Sequence, residues 1–543
     1  MSTKAFIDET LRQVIANEGQ THGWSLPADL EVVTEVPSDP RHGDLSTNIP
    51  FALAKIVRQA PLRVAQTIAE ALSALPEDRM FFETVHVAPP GFLNFVVAKT
   101  WLERDLREAF QNPERYGHSQ AMAGEKVMVE FVSANPTGPL HVGHARGAIA
   151  GDTLANLLES QGAQVTREYY YNDGGLQMET LGRSARARYL EKLGKPFEFP
   201  EDGYRGEYMK DIAARMVEQL GESLVNCTET RPFTEFAASD ILKTIDKDLK
   251  DLGIKFTSWT NESEFFQMGK VLEAVERLKS AGIAYESEGA VWLRSSADGD
   301  QRDRVLVRSN GVPTYITPDI AYHINKFERG FDRVINVLGG DHHGHVPGLK
   351  AALRALGFPV ERLDFALIQM VSLKKGEERI KLSTRAGDFL PLYEMIAEIG
   401  SDVTRYFFLM RSIDAQMTFD WDLAKSTSME NPVYYIQYLH ARVCSLAKKA
   451  TDMNVDWPLD PMTDLLPLEL PEERTLIKAA FSYPSILASA ASSLEPHRLT
   501  AFLEDLAKSF HNYYTYHRIV DAEKPELTKA RLYLVEAIRG IIA

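Results

Sequence analysis

Ser133-Ala-Asn-Pro-Thr-Gly-Pro-Leu-His-Val-Gly-His144 is the stretch that decides the fold class. Just upstream, Val127, Val129 and Phe131 alternate with their neighbours, the period of a buried strand. Just downstream, residues 145–158 carry apolar side chains at helical spacing. His141 and His144, with Gly143 between them, therefore stand where a strand turns into a helix. A helix N-terminus presents unpaired N–H groups and the positive end of its dipole, and so attracts phosphate. Imidazoles placed there donate hydrogen bonds to phosphate oxygens as charge develops on them. Gly143, lacking a Cβ, lets a base or ribose lie against the backbone. The stretch reads as a nucleoside-triphosphate site. It is not a P-loop, because no G-x-x-x-x-G-K-[S/T] occurs, and no two glycines stand two apart as a dinucleotide fingerprint needs. An isolated H-x-x-H is more often a structural pair or half a zinc site. The Pro-x-x-Pro-x-His context and the strand-to-helix position favour the nucleotide.

Working outward, strand-like runs at 127–131, 165–171, 334–338 and 365–371 alternate with helical patterns from about 120 to 425. That order predicts an α/β catalytic domain built on a doubly wound parallel sheet of Rossmann type. Residues from about 180 to 300 are richer in charge and helical pattern and are expected to form an inserted subdomain between the sheet's halves. Residues 1–115 read as an N-terminal α+β domain, with helices near 5–16 and 61–75 and a strand at 91–97. Pro61 suits the first position of its helix. The stretch 111–119 is the linker. Beyond 426 only one of the chain's 34 glycines remains, Gly540, and apolar residues recur at helical spacing. Residues 426–543 are therefore expected to be an all-helical domain, broken by a Pro-rich loop at 456–471.

At 543 residues the chain has room for several cores. A net charge of −16 argues against generic DNA coating, but an acidic protein can still bind nucleic acid through a local basic and aromatic surface. No apolar run reaches the length of a membrane span, and the first residues read as an amphipathic helix rather than a signal peptide. Cys227 and Cys444 are the only cysteines and lack metal spacing. A cytoplasmic protein without disulfides, membrane contact or DNA partner is expected.

A second segment carries chemistry. Residues 373–388 include Lys374, Lys375, Arg379, Lys381 and Arg385 around glycines, followed by a helical pattern at 392–399. Cations on such a loop can close over a triphosphate and stabilise departing pyrophosphate. A charge run is usually a solvated loop. This one follows a late strand of the sheet that carries the histidines, and ligands of such sheets bind beyond the strands' carboxyl ends. Asp341-His-His-Gly-His345 offers three imidazoles. With no cysteine nearby, a substrate or adenosine role is expected and no metal site.

These segments resemble those of a known family. His141-Val-Gly-His144 is similar to the H-I-G-H element of class I aminoacyl-tRNA synthetases, and Lys381-Leu-Ser-Thr-Arg385 resembles their K-M-S-K-S element. Within that class the chain resembles the bacterial-type arginyl-tRNA synthetases over essentially its whole length. Ser133-Ala-Asn-Pro-Thr-Gly138, Tyr171-Asn-Asp-Gly-Gly-Leu-Gln177, Gly339-Gly-Asp-His-His-Gly344 and Asn431-Pro-Val-Tyr-Tyr-Ile-Gln-Tyr-Leu-His-Ala-Arg442 carry the likeness.

The resemblance implies catalytic roles for His141, His144, Lys381 and Arg385. It implies ATP contacts from Gly143, Gly340, His342 and Ser383 beside His141, His144 and Lys381. It implies an arginine pocket of Ser133, Asn135, Glu262, Tyr315, Asp319, Asp341 and Gln369. A planar guanidinium with five donors suits carboxylates such as Glu262 and Asp319. Asn135 suits the amino-acid end, and Tyr315 can orient or stack. Residues 1–115 resemble the appended domain that contacts the tRNA elbow, and 426–543 resemble the anticodon-binding domain. There Tyr434, Tyr438, Arg442, Tyr513, Tyr516 and Arg518 mix aromatic and cationic groups, as unstacked bases require, although such tyrosines serve equally well as helix core.

Two departures stand out. The second lysine of the loop element is Thr384, and Gly138 stands where relatives lacking it often place a compensating lysine. Lys381 and Arg385 then lead as phosphate cations, with Lys374 and Lys375 behind. The chain also ends at Ile541-Ile-Ala543 inside an apolar helical run, where relatives continue for a short tail, so further residues are expected.

The expected activity is ATP-dependent ligation of arginine to tRNA(Arg) through arginyl-adenylate, releasing AMP and pyrophosphate, with Mg2+ carried by the nucleotide and the protein acting as a monomer. The resemblance implies that the first step needs bound tRNA. Much of the span between the two phosphate elements is the sheet itself, so no large editing domain is expected. Three rivals are a same-class synthetase for another amino acid such as cysteine, a catalytically impaired tRNA-binding paralogue, and a histidine-rich metalloprotein.

Overall fold

Lys126–Glu130 (β1) is buried on both faces, with Val127, Met128 and Val129 fully inaccessible. An alternating strand with one wet face would not be, and the reason is its place at the centre of a parallel sheet. The structure, a computed structural model, describes the chain except residues 1–2, 28–29, 38, 377, 381–389, 454 and 456–458, and the side chains at 40, 341 and 378–380. Gln164–Tyr171 (β2), Ser258–Asn261 (β3), Arg333–Gly339 (β4) and Leu363–Ile368 (β5) complete the sheet in the order β5-β4-β1-β2-β3. All four pairings are parallel. The chain runs outward from β1 to β3, then returns to the other side for β4 and β5. The expected doubly wound parallel sheet is thus present, with its switch point between β1 and β4.

The helix after β1 is Val142–Ser160. It lies so close to the strand that a Cβ on Gly151 would come within 2.3 Å of the Phe131 ring. Only glycine allows that approach. Residues 180–300, expected as an insertion, form the helices Glu207–Leu220 and Arg231–Asp251 and a three-stranded antiparallel sheet at 284–307. They also supply β3 to the main sheet. The run expected at 365–371 divides in two. β5 ends at Ile368, and Val371–Lys375 starts a separate strand that pairs in parallel with Met417–Asp420 and antiparallel with Glu378–Ile380.

These elements belong to one compact unit, Gln120–Val433 with Ala490–Thr500. The other unit comprises Met1–Ser119, Tyr434–Ser489 and Ala501–Ala543. In it, the N-terminal helices Thr3–His22, Pro61–Ser73 and Lys99–Gln111 accompany a three-stranded antiparallel sheet with Phe92–Val97 at its centre. The described residues of the C-terminal part form the helices Pro432–Asp452, Pro471–Ser493, His497–Tyr516 and Pro525–Ile542, and the loop expected at 456–471 is described only from 459 onward. Within this unit the two parts share a buried ionic centre, where Asp44 receives Arg474 at 2.9 Å and Lys478. Phe110 also stacks on Tyr533 at 3.9 Å between ring centroids. Among the described residues no helix is long and apolar enough to cross a membrane.

Candidate active site

The residues expected to act on substrate follow the carboxyl ends of the parallel strands. Ser133, Asn135 and the two histidines come after β1, Glu262 after β3, Gly340 and His342 after β4, and Gln369 after β5. The backbone turns sharply as β1 ends, because Val132 and Ser133 both adopt left-handed conformations, with φ of 65° and 45°. Consecutive non-glycine residues of that kind are costly and occur where a site demands them.

His141 caps the following helix. Its Nδ1 accepts the N–H of Gly143 at 3.0 Å, and its own N–H reaches Nδ1 of His144 at 3.3 Å. The two rings lie 3.9 Å apart between centroids. Burial lowers the His141 pKa, and burial together with His141 pushes His144 down to about 3. Both imidazoles are thus neutral. With Nδ1 accepting from backbone, each carries its proton on Nε2, as a donor. A Cβ on Gly143 would come within 2.8 Å of the His141 ring, so glycine is required here by the histidine itself.

The candidate arginine pocket is rich in negative charge. Glu262 accepts the Tyr170 hydroxyl at 2.9 Å and Nδ2 of Asn172 at 2.8 Å, leaving further lone pairs for a ligand. Burial raises its pKa, with Asp173 adding and Tyr170 opposing. Asp319 opens the helix Ile316–Glu328, and its pKa is raised to about 7 by burial, then by Glu130 and Glu262, with Lys326 as the opposing cation. Lys326 is itself committed. It is fully buried, pairs with Glu130, and donates to Asn336 at 2.7 Å. Asp319 therefore feels the charge of both Glu130 and Glu262, while Lys326, its opposing cation, is already paired with Glu130.

Other expected contacts are used within the fold. The Ser133 hydroxyl donates to Glu130 at 2.9 Å and accepts the Tyr170 N–H at 3.2 Å, and so braces the turn. Asn135 accepts from the Asn172 N–H and donates to Gln177, both at 3.0 Å, and retains one N–H. Gln369 lies against Gly340, where a Cβ would come within 3.3 Å of its Nε2. Tyr315 is 60% exposed and meets His345 edge-on at 4.7 Å. His342 and His343 are exposed, and among the described residues no three His, Cys, Asp or Glu side chains gather closely enough to hold a metal ion. The side chain of Asp341 lies outside the described residues, as do Lys381, Ser383 and Arg385.

Leu392 donates its N–H to Leu140 O at 2.8 Å, and His141 and Pro391 form an antiparallel bridge. Lys374, expected as a reserve phosphate cation, is tied to Asp420 at 3.0 Å. A side chain at 138 would meet the Tyr208 hydroxyl 3.3 Å from its Cβ, with that hydroxyl already donating to Thr137 O.

In the helical region, Tyr434 stacks on Tyr438 at 6.0 Å between centroids, and Arg442 sits 4.4 Å from the ring centres of both Tyr438 and Tyr514. Tyr516 is 75% exposed, and Arg518 is largely exposed. Tyr513 departs from expectation. It is fully buried and its hydroxyl donates to Glu473 at 3.0 Å, so it is a core residue and cannot meet a nucleic acid. Sequence reasoning also passed over Glu130, Tyr170, Lys326 and Arg146. Glu130 and Lys326 were signalled only as charges inside apolar runs, which are seldom buried without a partner.

Residues 5–97 match the model of the arginyl tRNA synthetase N terminal domain, 105–407 that of the tRNA synthetases class I (R) catalytic domain, and 436–543 that of the DALR anticodon binding domain. The arginine–tRNA ligase of Syntrophotalea carbinolica is 44% identical over 542 residues, covering 99% of this chain and 96% of that protein. That of Geobacillus kaustophilus is 42% identical over 539 residues, covering 99% and 96%. The solved Thermus thermophilus arginyl-tRNA synthetase superposes with a TM-score of 0.75 at 22% identity, covering 99% of this chain and 97% of that one, a likeness of fold.

Proposed function

The chain belongs to the arginyl-tRNA synthetases of class I, and we propose that the residues at its strand ends divide the work of a two-step ligation. The enzyme joins arginine to tRNA at the expense of ATP. In the first step the arginine carboxylate attacks the α-phosphorus, pyrophosphate leaves, and arginyl-adenylate forms. In the second, a ribose hydroxyl of the terminal adenosine of tRNA attacks the acyl carbon, and AMP leaves.

The observation that carries the assignment is the uncompensated pair Glu262 and Asp319. Two half-buried carboxylates, one of them raised in pKa by burial and by the other, bind a planar, permanently charged cation better than any neutral side chain. Guanidinium therefore lies between them, Asn135 and Gln369 address the amino-acid end, and Tyr315 and Asp341 are assigned to the same ligand. His141 and His144 donate through Nε2 to the phosphate whose charge grows in the transition state, aided by the helix N-terminus. Gly143, Gly340 and His342 border the adenosine. Lys381, Ser383 and Arg385 follow the same strand system and are assigned to the β- and γ-phosphates. Mg2+ arrives with the nucleotide. In the helical region Tyr434, Tyr438, Arg442, Tyr516 and Arg518 are assigned to anticodon bases. Cytoplasmic, monomeric operation completes the reading, and both cysteines are free thiols.

The test is aminoacylation of purified tRNA with arginine, lysine or cysteine, each with wild-type protein and with Glu262→Gln. Charging by arginine alone, weakened in the variant through arginine KM, supports the assignment. Unchanged arginine KM in the variant overturns the pocket.

A further inference from the structure

Arg146 lies on the helix that His141 caps, and its side chain is fully buried. Its guanidinium meets three main-chain carbonyls rather than a carboxylate: Gln369 O at 2.9 Å, Ala415 O at 2.8 Å and Ser412 O at 2.7 Å. Asp414 supports its charge through space. Removing a cation from water with only carbonyl dipoles in contact is costly, so a fold that does so gains a defined geometry at that point.

The three carbonyls mark one place in the architecture. Gln369 follows β5 directly and precedes Val371–Lys375, while Ser412 and Ala415 precede Met417–Asp420. Those two strands pair in parallel from Val371 opposite Met417. Gln369 is also bonded to this root through its N–H, which donates to Ile413 O at 3.0 Å. One guanidinium thus joins the histidine helix to the root of the strand pair that carries Lys374. The other joint, between Leu140 and Leu392, lies at the helix start.

We propose that Arg146 is a positioning residue for adenylation: it fixes the two phosphate histidines relative to the strand system that leads to the cationic segment. It acts through Gln369 and the 371–375 strand without touching substrate. The inference rests on the reading of His141 and His144 as phosphate donors. Misplacing two halves of such a site by about 1 Å lowers the chemical step by about 100-fold. Arginine binding should suffer little, because Glu262 and Asp319 stand on other elements.

The experiment compares Arg146→Met, Arg146→Lys and His141→Ala in tRNA-dependent pyrophosphate exchange, with filter binding of tRNA as a check of folding. Arg146→Met is expected to lower kcat about 100-fold while arginine KM moves less than about 3-fold. Arg146→Lys, whose ammonium offers three donors to carbonyl oxygens but lacks the planar fork, should recover about 10-fold of that loss and no more. Unchanged kcat in Arg146→Met, or a loss confined to KM, overturns the proposal. If His141→Ala keeps its rate, the phosphate reading itself fails. If His141→Ala is impaired and Arg146→Met is not, only the positioning role fails. Should Arg146→Met not bind tRNA, Arg146→Lys decides alone: a kcat loss of about 10-fold with arginine KM held supports the role, and wild-type kinetics overturn it.

Discussion

Gly143 donates its backbone N–H to Nδ1 of His141 at 3.0 Å, which commits that imidazole to presenting its proton on Nε2. His144 is committed in the same way by the N–H of His141. The amide nitrogen of glutamine reaches about as far as Nε2, whereas that of asparagine reaches only as far as Nδ1. His144→Gln is therefore expected to retain more adenylation than His144→Asn, with the asparagine variant losing roughly 100- to 1,000-fold in kcat. Pre-steady-state pyrophosphate exchange measures both, and equal losses would remove Nε2 from the mechanism.

The same histidine makes a prediction for acid stability. Its pKa falls from an ordinary 6.5 to about 3 in the folded protein. Between those values the unfolded chain holds the extra proton, so His144 draws stability away as pH drops from 6.5 toward 3 and has no such effect above 6.5. His144→Gln should flatten this part of the stability profile. Urea titrations at pH 7 and pH 5 give the comparison, and an identical pH dependence in both proteins would contradict it.

Asp319, held up to about 7, is partly protonated in the free enzyme at neutral pH. Guanidinium binds the ionised form, so arginine uptake must expel that proton. Arginine KM is expected to rise as pH falls below about 7, while Asp319→Asn should raise KM overall and abolish the dependence. Arginine KM across pH 6 to 8 tests both. A pH-dependent KM that survives the substitution would point to another group.

The sheet and the histidine turn were legible because their patterns are local: a strand buried on both faces, then a helix whose first residues suit phosphate. β3 was not, since four residues carry too short a period to declare a strand, and it lies within charged, helical surroundings. The electrostatics around Asp319 were not legible in the sequence, because Glu130, Lys326 and Asp319 meet only after β1 and the 316–328 helix are packed together. Tyr513 shows the opposite failure. Aromatic residues mixed with cations on a helix look the same in sequence whether they face bases or a core. Only the bond from its hydroxyl to Glu473 decides between the two.

In the other unit, Asp44 is almost fully buried, accepts the Val97 N–H at 2.8 Å, and pairs with Arg474 and Lys478. Asp44→Ala leaves two cations facing each other and an unpaired N–H. Breaking a buried ion pair costs about 3–5 kcal/mol, and the lower end applies, because Arg474 and Lys478 keep 31% and 35% of their side-chain surface in water. A loss of about 3 kcal/mol is expected. Urea unfolding measures it, and a change below about 1 kcal/mol would place Asp44 with surface pairs instead.

Tyr170 and Glu262 separate alignment from charge in the arginine pocket. The phenol holds one oxygen of Glu262 at 2.9 Å and stacks its own ring on Tyr322 at 4.2 Å, so the carboxylate is aimed by a side chain that is itself fixed. Tyr170→Phe keeps the stack and removes only the aiming hydrogen bond. A bond to a charged group contributes about 1.5–3 kcal/mol, but Asn172 still holds the second oxygen at 2.8 Å. Arginine KM should therefore rise about 10-fold, the lower end of that range, with kcat unchanged, since guanidinium is gripped equally in ground and transition states. Glu262→Gln removes the charge itself and should raise KM about 100-fold or more, again sparing kcat. If Tyr170→Phe instead lowers kcat with KM intact, the hydroxyl acts on the reacting end, and Glu262 would have to be reassigned with it.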